Sequence, residues 1–422
     1  MKTLAIVLFI LMYVLMIVFS KRRPFIAAGF AVLFAVLGIT APQNILGAIN
    51  WNVLMMIAGT MVVVDSFIES RMPERLADFL LDRSKNVMWV TILLSLFAGF
   101  VSAFIDNVAT VLMIAPVGIA ICKKLKITPV PVILCIAVSS NLQGTATLVG
   151  DTTAIMLGAY ANMDFTDFFW MNGRPGMFFA TELGALVTVP VMMLLFRNLK
   201  KPVQANVRTQ VSDYVPSFLL TGVVLSLIGA SFLPDKPDVT NGLICMAFAL
   251  ITVVYKAVRG KDGKVFGTAL RSLDYETLLL LAGLFIVIEG ITEVGLIRDI
   301  AEWIARVGGN NLFVLFTIIV WGSVAVSAFV DNIPYVATML PVISGVTAAL
   351  GIEPYLLYFG LLVGATLGGN ITPIGASANI TAIGILRKEG EEVGFGDFMR
   401  IGVPFTLAAV LSGYLFLWIF WR

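Results

Sequence analysis

Apolar stretches of about 16–20 residues recur from one end of the chain to the other, with short polar segments between them. An α-helix rises about 1.5 Å per residue, so a stretch of this length spans a hydrocarbon core of roughly 30 Å. Strands of a membrane barrel would instead show about 10 residues of alternating polarity. The pattern predicts an all-α polytopic membrane protein without a soluble domain.

The composition agrees with this prediction and excludes several kinds of chemistry. Hydrophobic residues make up 59% of the chain and charged residues 13%, against about 45–50% and about 25% in soluble domains. Histidine is absent, and Cys122, Cys135 and Cys245 lack metal-ligand spacing. We therefore expect no metal site, no cofactor and no enzymatic activity, and any proton transfer must use carboxylates.

Two separate motifs repeat along the chain in one register of 225 residues. Residues 102–107 (SAFIDN) match residues 327–332 (SAFVDN), and Pro116 then matches Pro341. Without a gap, the same register pairs the Gly/Thr-rich interruptions of two later apolar stretches, namely Gly144 with Gly369, Thr147 with Thr372, and Gly150 with Gly375. The chain is therefore predicted to hold two copies of one unit.

Each copy is predicted to have a scaffold, a hairpin with a broken helix, and a closing helix. The first repeat covers residues 1–200 and the second 216–422, joined by a cytoplasmic linker at 201–215. The scaffold, hairpin-with-broken-helix and closing-helix segments are 1–81, 87–160 and 177–196 in the first repeat, and 216–304, 311–387 and 402–421 in the second.

The distribution of basic residues predicts how the copies are oriented. If residues 87–122 and 312–350 are re-entrant helical hairpins, each copy has five crossings, one of them broken, and the two copies have inverted topology. With both termini outside the cell, the cytoplasmic loops hold 22 of the 28 Lys and Arg, including Lys21 and Arg23. This satisfies the positive-inside rule for an inner-membrane protein, and inverted repeats with broken helices are typical of secondary transporters.

The candidate binding residues lie where helices are interrupted at membrane depth, since such backbone survives only in protein or around a wet cavity. Asp106 and Asp331 are the strongest candidates for ion or proton handling, with a structural role at the hairpin tips as the alternative. Asp151 either acts in the site or caps the following half-helix. The remaining candidates are amide, hydroxyl and glycine positions, whose hydroxyls can also bond back to their own helix: Asn107, Thr110, Gly144, Thr145, Thr147, Asn332, Gly369, Asn370, Thr372 and Ser377.

The second copies of both motifs resemble the ion transporter superfamily. The segments are SAFVDNIPYVATMLP at 327–341 and GGNITPIGASAN at 368–379, and they are most similar to arsenite permeases, NhaD-type sodium/proton antiporters and the pigmentation P protein. The resemblance implies a fixed scaffold and a mobile domain of hairpins and broken helices that moves like an elevator. Dicarboxylate transporters of this superfamily carry Ser-Asn-Thr at the hairpin tips, where this chain has Asp106-Asn107-Val108 and Asp331-Asn332-Ile333.

The acidic tips favour a cation, a proton or a neutral solute over a dicarboxylate. The leading hypothesis is arsenite or antimonite efflux, or cation/proton antiport, driven by the proton motive force. The alternatives are a sodium-coupled dicarboxylate or inorganic anion transporter and, outside transporters, an ion channel. The expected partners are the lipid bilayer and a small solute or ion such as arsenite, sodium or a proton. A homodimer and a docked soluble ATPase are compatible with the sequence, and no nucleic-acid partner is expected.

The topology is testable by cysteine labelling in intact cells. A cysteine placed near Pro237 is expected to react with an impermeant thiol reagent from outside, whereas one within residues 261–264 is expected to react only after the membrane is opened. Labelling in the opposite pattern would reverse the predicted orientation.

Overall fold

The computed structural model describes residues 1–81, 83–202, 209–260, 270–309 and 311–422, which form a helical membrane protein. Parts of the predicted linker, at 203–208, and the loop positions 261–264 lie outside the described residues. The nineteen helices of the described chain are α1 Lys2–Val18, α2 Arg23–Val36, α3 Ile45–Ala48, α4 Trp51–Glu69, α5 Met72–Leu81, α6 Val87–Ser102, α7 Asn107–Leu125, α8 Val130–Gln143, α9 Thr152–Tyr160, α10 Met177–Leu195, α11 Val215–Ala230, α12 Thr240–Gly260, α13 Tyr275–Glu293, α14 Leu296–Gly308, α15 Leu312–Ser327, α16 Asn332–Leu350, α17 Tyr355–Gly368, α18 Ser377–Lys388 and α19 Phe395–Trp421.

Seven helices of the described residues are long and apolar enough to cross a membrane by themselves. They are α4, α7, α10, α12, α13, α16 and α19. Six shorter apolar helices, α1, α2, α6, α8, α11 and α17, lie among them. The prediction of a polytopic helical membrane protein is confirmed.

The two predicted hairpins begin and turn at matching residues. Asn86 accepts a hydrogen bond from the backbone at the start of α6, and Asn311 does the same for α15. At the tips, Asp106 caps α7 and Asp331 caps α16 by accepting from backbone N–H groups. Each pair is separated by the 225 residues of the sequence repeat, so the repeat is expressed in helix capping as well as in sequence.

Two helix crossings hold the first helices of the two halves together. In one crossing α4 packs on α12, and in the other α2 packs on α13. Gly59 of α4 lies against the backbone of Cys245, and Gly283 of α13 lies against the backbone of Ala27. A side chain at either glycine would overlap the opposite backbone, so these glycines allow the close helix contact that membrane packing favours.

The middle of the molecule is formed by α8 and α17, which are enclosed on almost all sides. Helix α8 packs on α6 and α7, while α17 packs on α15 and α19. Every residue from Val132 to Gln143 and from Leu356 to Gly368 is buried. Such all-round burial is characteristic of central helices, and it brings the ends of α8 and α17 to the candidate site.

A short hairpin between α9 and α10 was not predicted. Trp170–Met171 pairs antiparallel with Arg174–Pro175. The turn residues Asn172 and Gly173 have φ values of 52° and 74°, as an Asn-Gly turn of the I′ class requires. The Asn172-Gly173 pair is a turn signal in the sequence, but strands of two residues each are too short to show an alternating pattern.

The helix crossings predict the effect of adding one methyl group. Gly59→Ala and Gly283→Ala are expected to lower the free energy of unfolding in detergent by about 1–3 kcal/mol each, because the new Cβ overlaps backbone that has no room to move. Thermal unfolding of the purified variants measures this. The matched control is Gly29→Ala in α2, where no other atom lies within 4 Å of the new Cβ; equal loss in all three variants would contradict the proposed close contact.

Candidate functional site

Both hairpin tips are tied to the interrupted helices by the same hydrogen bond. The Thr147 hydroxyl donates to the carbonyl oxygen of Ala103, and the Thr372 hydroxyl donates to that of Ala328. Gly150 and Gly375 pack against the carbonyls of these same tips. The two threonines therefore satisfy backbone groups that lipid would leave unpaired, and their hydroxyls are occupied in the structure.

A network of buried amides joins the two halves. The Asn107 side chain donates to Oδ1 of Asn141 at 2.9 Å. Asn141 in turn donates to the Thr366 carbonyl at 2.7 Å and to Asn370 Oδ1 at 3.1 Å, and Asn370 donates to the Val138 carbonyl at 2.9 Å. Since Asn141 and Thr366 are 225 residues apart, equivalent positions of the two copies meet here, where a satisfied network gives a rigid core.

Asp151 lies where the two halves converge. Its Oδ2 accepts a hydrogen bond from the Thr153 hydroxyl at 2.8 Å and from the Asn332 amide at 3.4 Å. The side chain makes no capping hydrogen bond to α9, although Asp151 occupies the N-cap position. Whether Asp151 acts in the site stays a prediction; its contact with Asn332 links the start of α9 to the start of α16.

Asp331 is bound by three donors. The Arg23 guanidinium lies 2.7 Å from its Oδ2, the Ser377 hydroxyl donates to the same oxygen at 3.0 Å, and the backbone N–H of Ile333 donates to Oδ1 at 3.2 Å. Asp331 is 3% exposed and Arg23 is 9% exposed. The carboxylate is thus charge-compensated within the protein.

Asp106, the equivalent residue of the first copy, has no such compensation. Its Oδ2 accepts only from the backbone N–H groups of Val108 and Ala109, at 3.0 and 3.2 Å. Within the described chain neither Asp106 nor Asp151 forms an ion pair.

A cavity of about 540 Å³ that is open to the outside of the protein reaches Asp106 and Asp151. The candidates on its wall are Asp106, Asn107, Asp151, Asn332 and Ser377. The candidates that do not line it are Thr110, Gly144, Thr145, Thr147, Asp331, Gly369, Asn370 and Thr372.

Two of the candidates that do not line the cavity bond back to their own segments. The Thr145 hydroxyl donates to the Leu142 carbonyl and shares a hydrogen bond with Thr181, while that of Thr110 is 3.5 Å from the Ile105 carbonyl.

A second, much smaller cavity of about 20 Å³ lies beside the first. Asp106, Gly150, Asp151 and Thr152 line it, together with apolar side chains that include Ile105. A volume of about 10–15 Å³ is enough for one water molecule. The pocket is therefore large enough for one water molecule, and two carboxylates lie on its wall.

The charged side chains on the wall of the large cavity are mostly acidic. It carries the carboxylates of Asp65, Asp106, Asp151 and Asp274 and the cations Lys21 and Arg23. Arg23 is already paired with Asp331. The cavity therefore attracts cations more strongly than anions. No group of three or more Asp, Glu or Cys with metal-binding geometry occurs in the described residues.

Sequence reasoning missed Arg23 and Asn141. Arg23 belongs to the triplet Lys21-Arg22-Arg23, which was assigned to a cytoplasmic loop, whereas the structure buries it at the start of α2. The available signal was Asp331 itself, because a carboxylate at membrane depth requires a partner. Asn141 could have been found from the repeat, since its equivalent position is Thr366.

A sequence model described as citrate transporter matches residues 11–364. The chain belongs to this citrate transporter family. It is accordingly a secondary membrane transporter, and the resemblance to the ion transporter superfamily is confirmed.

Relatives of this family extend over the whole chain. An uncharacterized transporter of Mycobacterium bovis is 29% identical, covering 99% of this chain and 98% of its own length. A 46 kDa membrane protein of Mycobacterium leprae is 29% identical and covers 99% of both chains. The human P protein is 26% identical over 87% of this chain, which spans 53% of the length of that protein.

A solved structure shares the fold. The crystal structure of the Alcanivorax borkumensis YdaH transporter superposes with a TM-score of 0.62 and 16% sequence identity, covering 96% of this chain and 97% of that one. At this identity the match establishes the architecture of the helices.

Thiol accessibility tests whether the large cavity is wet. In a background without the three buried native cysteines, Val108→Cys on the cavity wall is expected to react with a charged thiol reagent. Thr110→Cys, two residues further along α7 and fully buried, is expected to react at least about tenfold more slowly. Equal rates at the two positions would show that the cavity does not admit water.

Proposed function

We propose that this transporter exchanges protons for a small cation, or exports a neutral inorganic solute such as arsenous acid with the same proton coupling. The supporting observation is that Asp106 and Asp151, which form no ion pair within the described residues, lie on the wall of one small pocket. A carboxylate held away from lipid without a basic partner is stabilised by a bound cation or by a proton. If a proton and a cation compete for one site, the movement of one is coupled to the movement of the other.

The arsenite version of this proposal rests on a different observation from the cation version. The stretch from Ile371 to Gly375 resembles arsenite permeases, and it forms the interruption between α17 and α18. Arsenous acid is uncharged at neutral pH, so the acidic wall would bind it through hydrogen bonds. Sodium and arsenite flux under the same gradient separate the two versions.

A carboxylate substrate is the second candidate, favoured by the family description citrate transporter and by Lys21 at the cavity wall. The geometry opposes it, because a polyanion would enter beside four carboxylates, of which Asp65 alone pairs with a basic side chain, Lys256, in the described part of the chain. Repulsion between a polyanion and these carboxylates would weaken its binding. Citrate is therefore the decisive negative control.

Alternating access is proposed to follow from two inverted copies. Three observations support the repeat: the matching tip hydrogen bonds at Thr147 and Thr372, the matching caps at Asp106 and Asp331, and the crossing of α2 with α13 and of α4 with α12. We propose that the hairpins and broken helices move as one body against these crossed helices, as in an elevator. An ion channel, the alternative outside transporters, would instead give steady single-channel current.

We infer that the described conformation opens toward the cytoplasm in the inner membrane. Lys21, Asp65 and Asp274 lie on the cavity wall, next to the segments that hold most of the Lys and Arg. Since basic loops remain inside, the mouth of the cavity is assigned to the cytoplasmic side and both termini to the outside.

Flux into proteoliposomes under an imposed pH gradient tests the substrate. Arsenite, sodium and citrate are compared, with the internal pH recorded at the same time and empty liposomes as background. Movement of sodium or arsenite together with a pH change is the expected result. Sodium-dependent citrate uptake would reject the proposal and place the chain with the carboxylate carriers.

Neutralising the pocket tests the carboxylates. Asp106→Asn and Asp151→Asn are each expected to reduce proton-coupled flux by more than about tenfold, because neither amide can exchange a proton for a cation. Glu302→Gln, which removes an exposed carboxylate on α14, is the matched control and is expected to keep wild-type flux. Wild-type coupling in the first two variants, with normal yield of folded protein, would refute the assignment.

A further inference from the structure

The two tip aspartates occupy equivalent positions of the repeat but have different electrostatic surroundings. Asp331 pairs with Arg23 and accepts from Ser377. Among the described residues, Asp106 accepts from the backbone N–H groups of Val108 and Ala109, and Asp151 lines the same small pocket. One member of the pair is therefore neutralised by a side chain of this chain, and the other is left open to the cavity.

Helix energetics do not account for the position of Arg23. It is the first residue of α2, where the positive end of the helix dipole disfavours a cation. It is also almost fully buried. Burying a guanidinium in this way is costly unless a carboxylate compensates it, so the position is explained by Asp331. The Nε atom adds one hydrogen bond to the Met16 carbonyl, at 3.3 Å.

A second contact fixes the same hairpin to α1, the helix that precedes α2. The Tyr13 hydroxyl on α1 donates to the Pro334 carbonyl at 2.7 Å and lies 2.6 Å from the hydroxyl of Thr338. In the first copy the positions equivalent to Pro334 and Thr338 are Ala109 and Met113, so the hydroxyl partner is absent. Polar anchoring by α1 and α2 is thus specific to the second hairpin.

We propose that the Arg23 guanidinium neutralises Asp331 in the same way that a transported cation neutralises the equivalent residue, Asp106. Arg23 is thus a counter-cation that belongs to the protein itself. This rests on the proposed cation-coupled function. It assigns one cargo cation to each chain, at Asp106 and Asp151, and makes Arg23 a positioning residue for the second hairpin. The protein keeps two acidic tips by symmetry but exposes only one to cargo.

Access supports this assignment. Arg23, Asn332, Ile333 and Ser377 all line the large cavity, and Asp331 lies directly behind them. Removing the guanidinium would open Asp331 to the solution in the cavity. A free cation of small radius could then reach the carboxylate that Arg23 now occupies.

The test is the sodium dependence of thermal unfolding in detergent at pH 8, with choline chloride at equal ionic strength as the reference. Arg23→Gln is compared with Arg22→Gln, its exposed neighbour. Arg23→Lys keeps the charge, and the double variant Arg23→Gln/Asp331→Asn removes both charges. Asp106→Asn and Arg23→Gln/Asp106→Asn separate the two tips.

In choline, Arg23→Gln is expected to lower the melting temperature by roughly 5–15 °C, because it leaves a buried carboxylate unpaired. Sodium is expected to restore much of this loss in Arg23→Gln. The double variant Arg23→Gln/Asp331→Asn is expected to show the same sodium effect as the wild type. Arg23→Lys and Arg22→Gln are both expected to have the melting temperature and sodium response of the wild type.

The variants that carry Asp106→Asn separate the counter-cation role of Arg23 from the proposed cargo site at Asp106. Asp106→Asn alone is expected to lose the sodium stabilisation of the wild type. Adding Arg23→Gln is expected to restore a sodium response, because sodium can then bind at Asp331. If Arg23→Gln gains no sodium stabilisation in either background, the counter-cation role is wrong. If Asp106→Asn keeps the sodium stabilisation of the wild type while Arg23→Gln still gains a sodium response, the proposed cargo site at Asp106 is wrong and the counter-cation role of Arg23 is supported.

Discussion

The structure depends on one constraint: a helix that stops inside a bilayer leaves N–H and C=O groups that lipid cannot satisfy. This chain meets the constraint twice, with threonine hydroxyls bonded to the tip carbonyls of Ala103 and Ala328 and aspartates capping the following helices. The interruptions therefore require each other, since each tip packs on the break of the neighbouring helix.

Symmetry places the same residue at both tips, and the surroundings then make the two residues different. Asp331 is compensated by Arg23, whereas Asp106 lies beside Asp151 at a cavity with an acidic wall. The difference arises in α1 and α2, outside the hairpins, because these helices contact the second hairpin through Arg23 and Tyr13. Duplicated geometry with unequal charge is a route to one functional site from two similar halves.

The family and the site give different indications about the substrate. Membership in the citrate transporter family establishes a transporter, but a family can retain its scaffold while the chemistry of the site changes. Here the tips carry carboxylates, and within the described residues Asp106 and Asp151 share one small pocket without forming an ion pair. Charge at that pocket, more than the family description, supports cation or proton coupling.

The sequence by itself determined the elements that local chemistry specifies. Apolar length gave the spanning helices, and the repeated SAF(I/V)DN and Gly/Thr motifs located the four interruptions and the two tip aspartates. Which candidates face the cavity depends on tertiary structure, because the hydroxyls of Thr145, Thr147, Thr372 and Ser377 have the same hydrogen-bonding capacity and only their neighbours separate buried from cavity-lining ones. It also decided the partner of Asp331, since a contact across 308 residues leaves no local signal and a basic triplet after a first helix has the same pattern whether its last arginine is in water or buried.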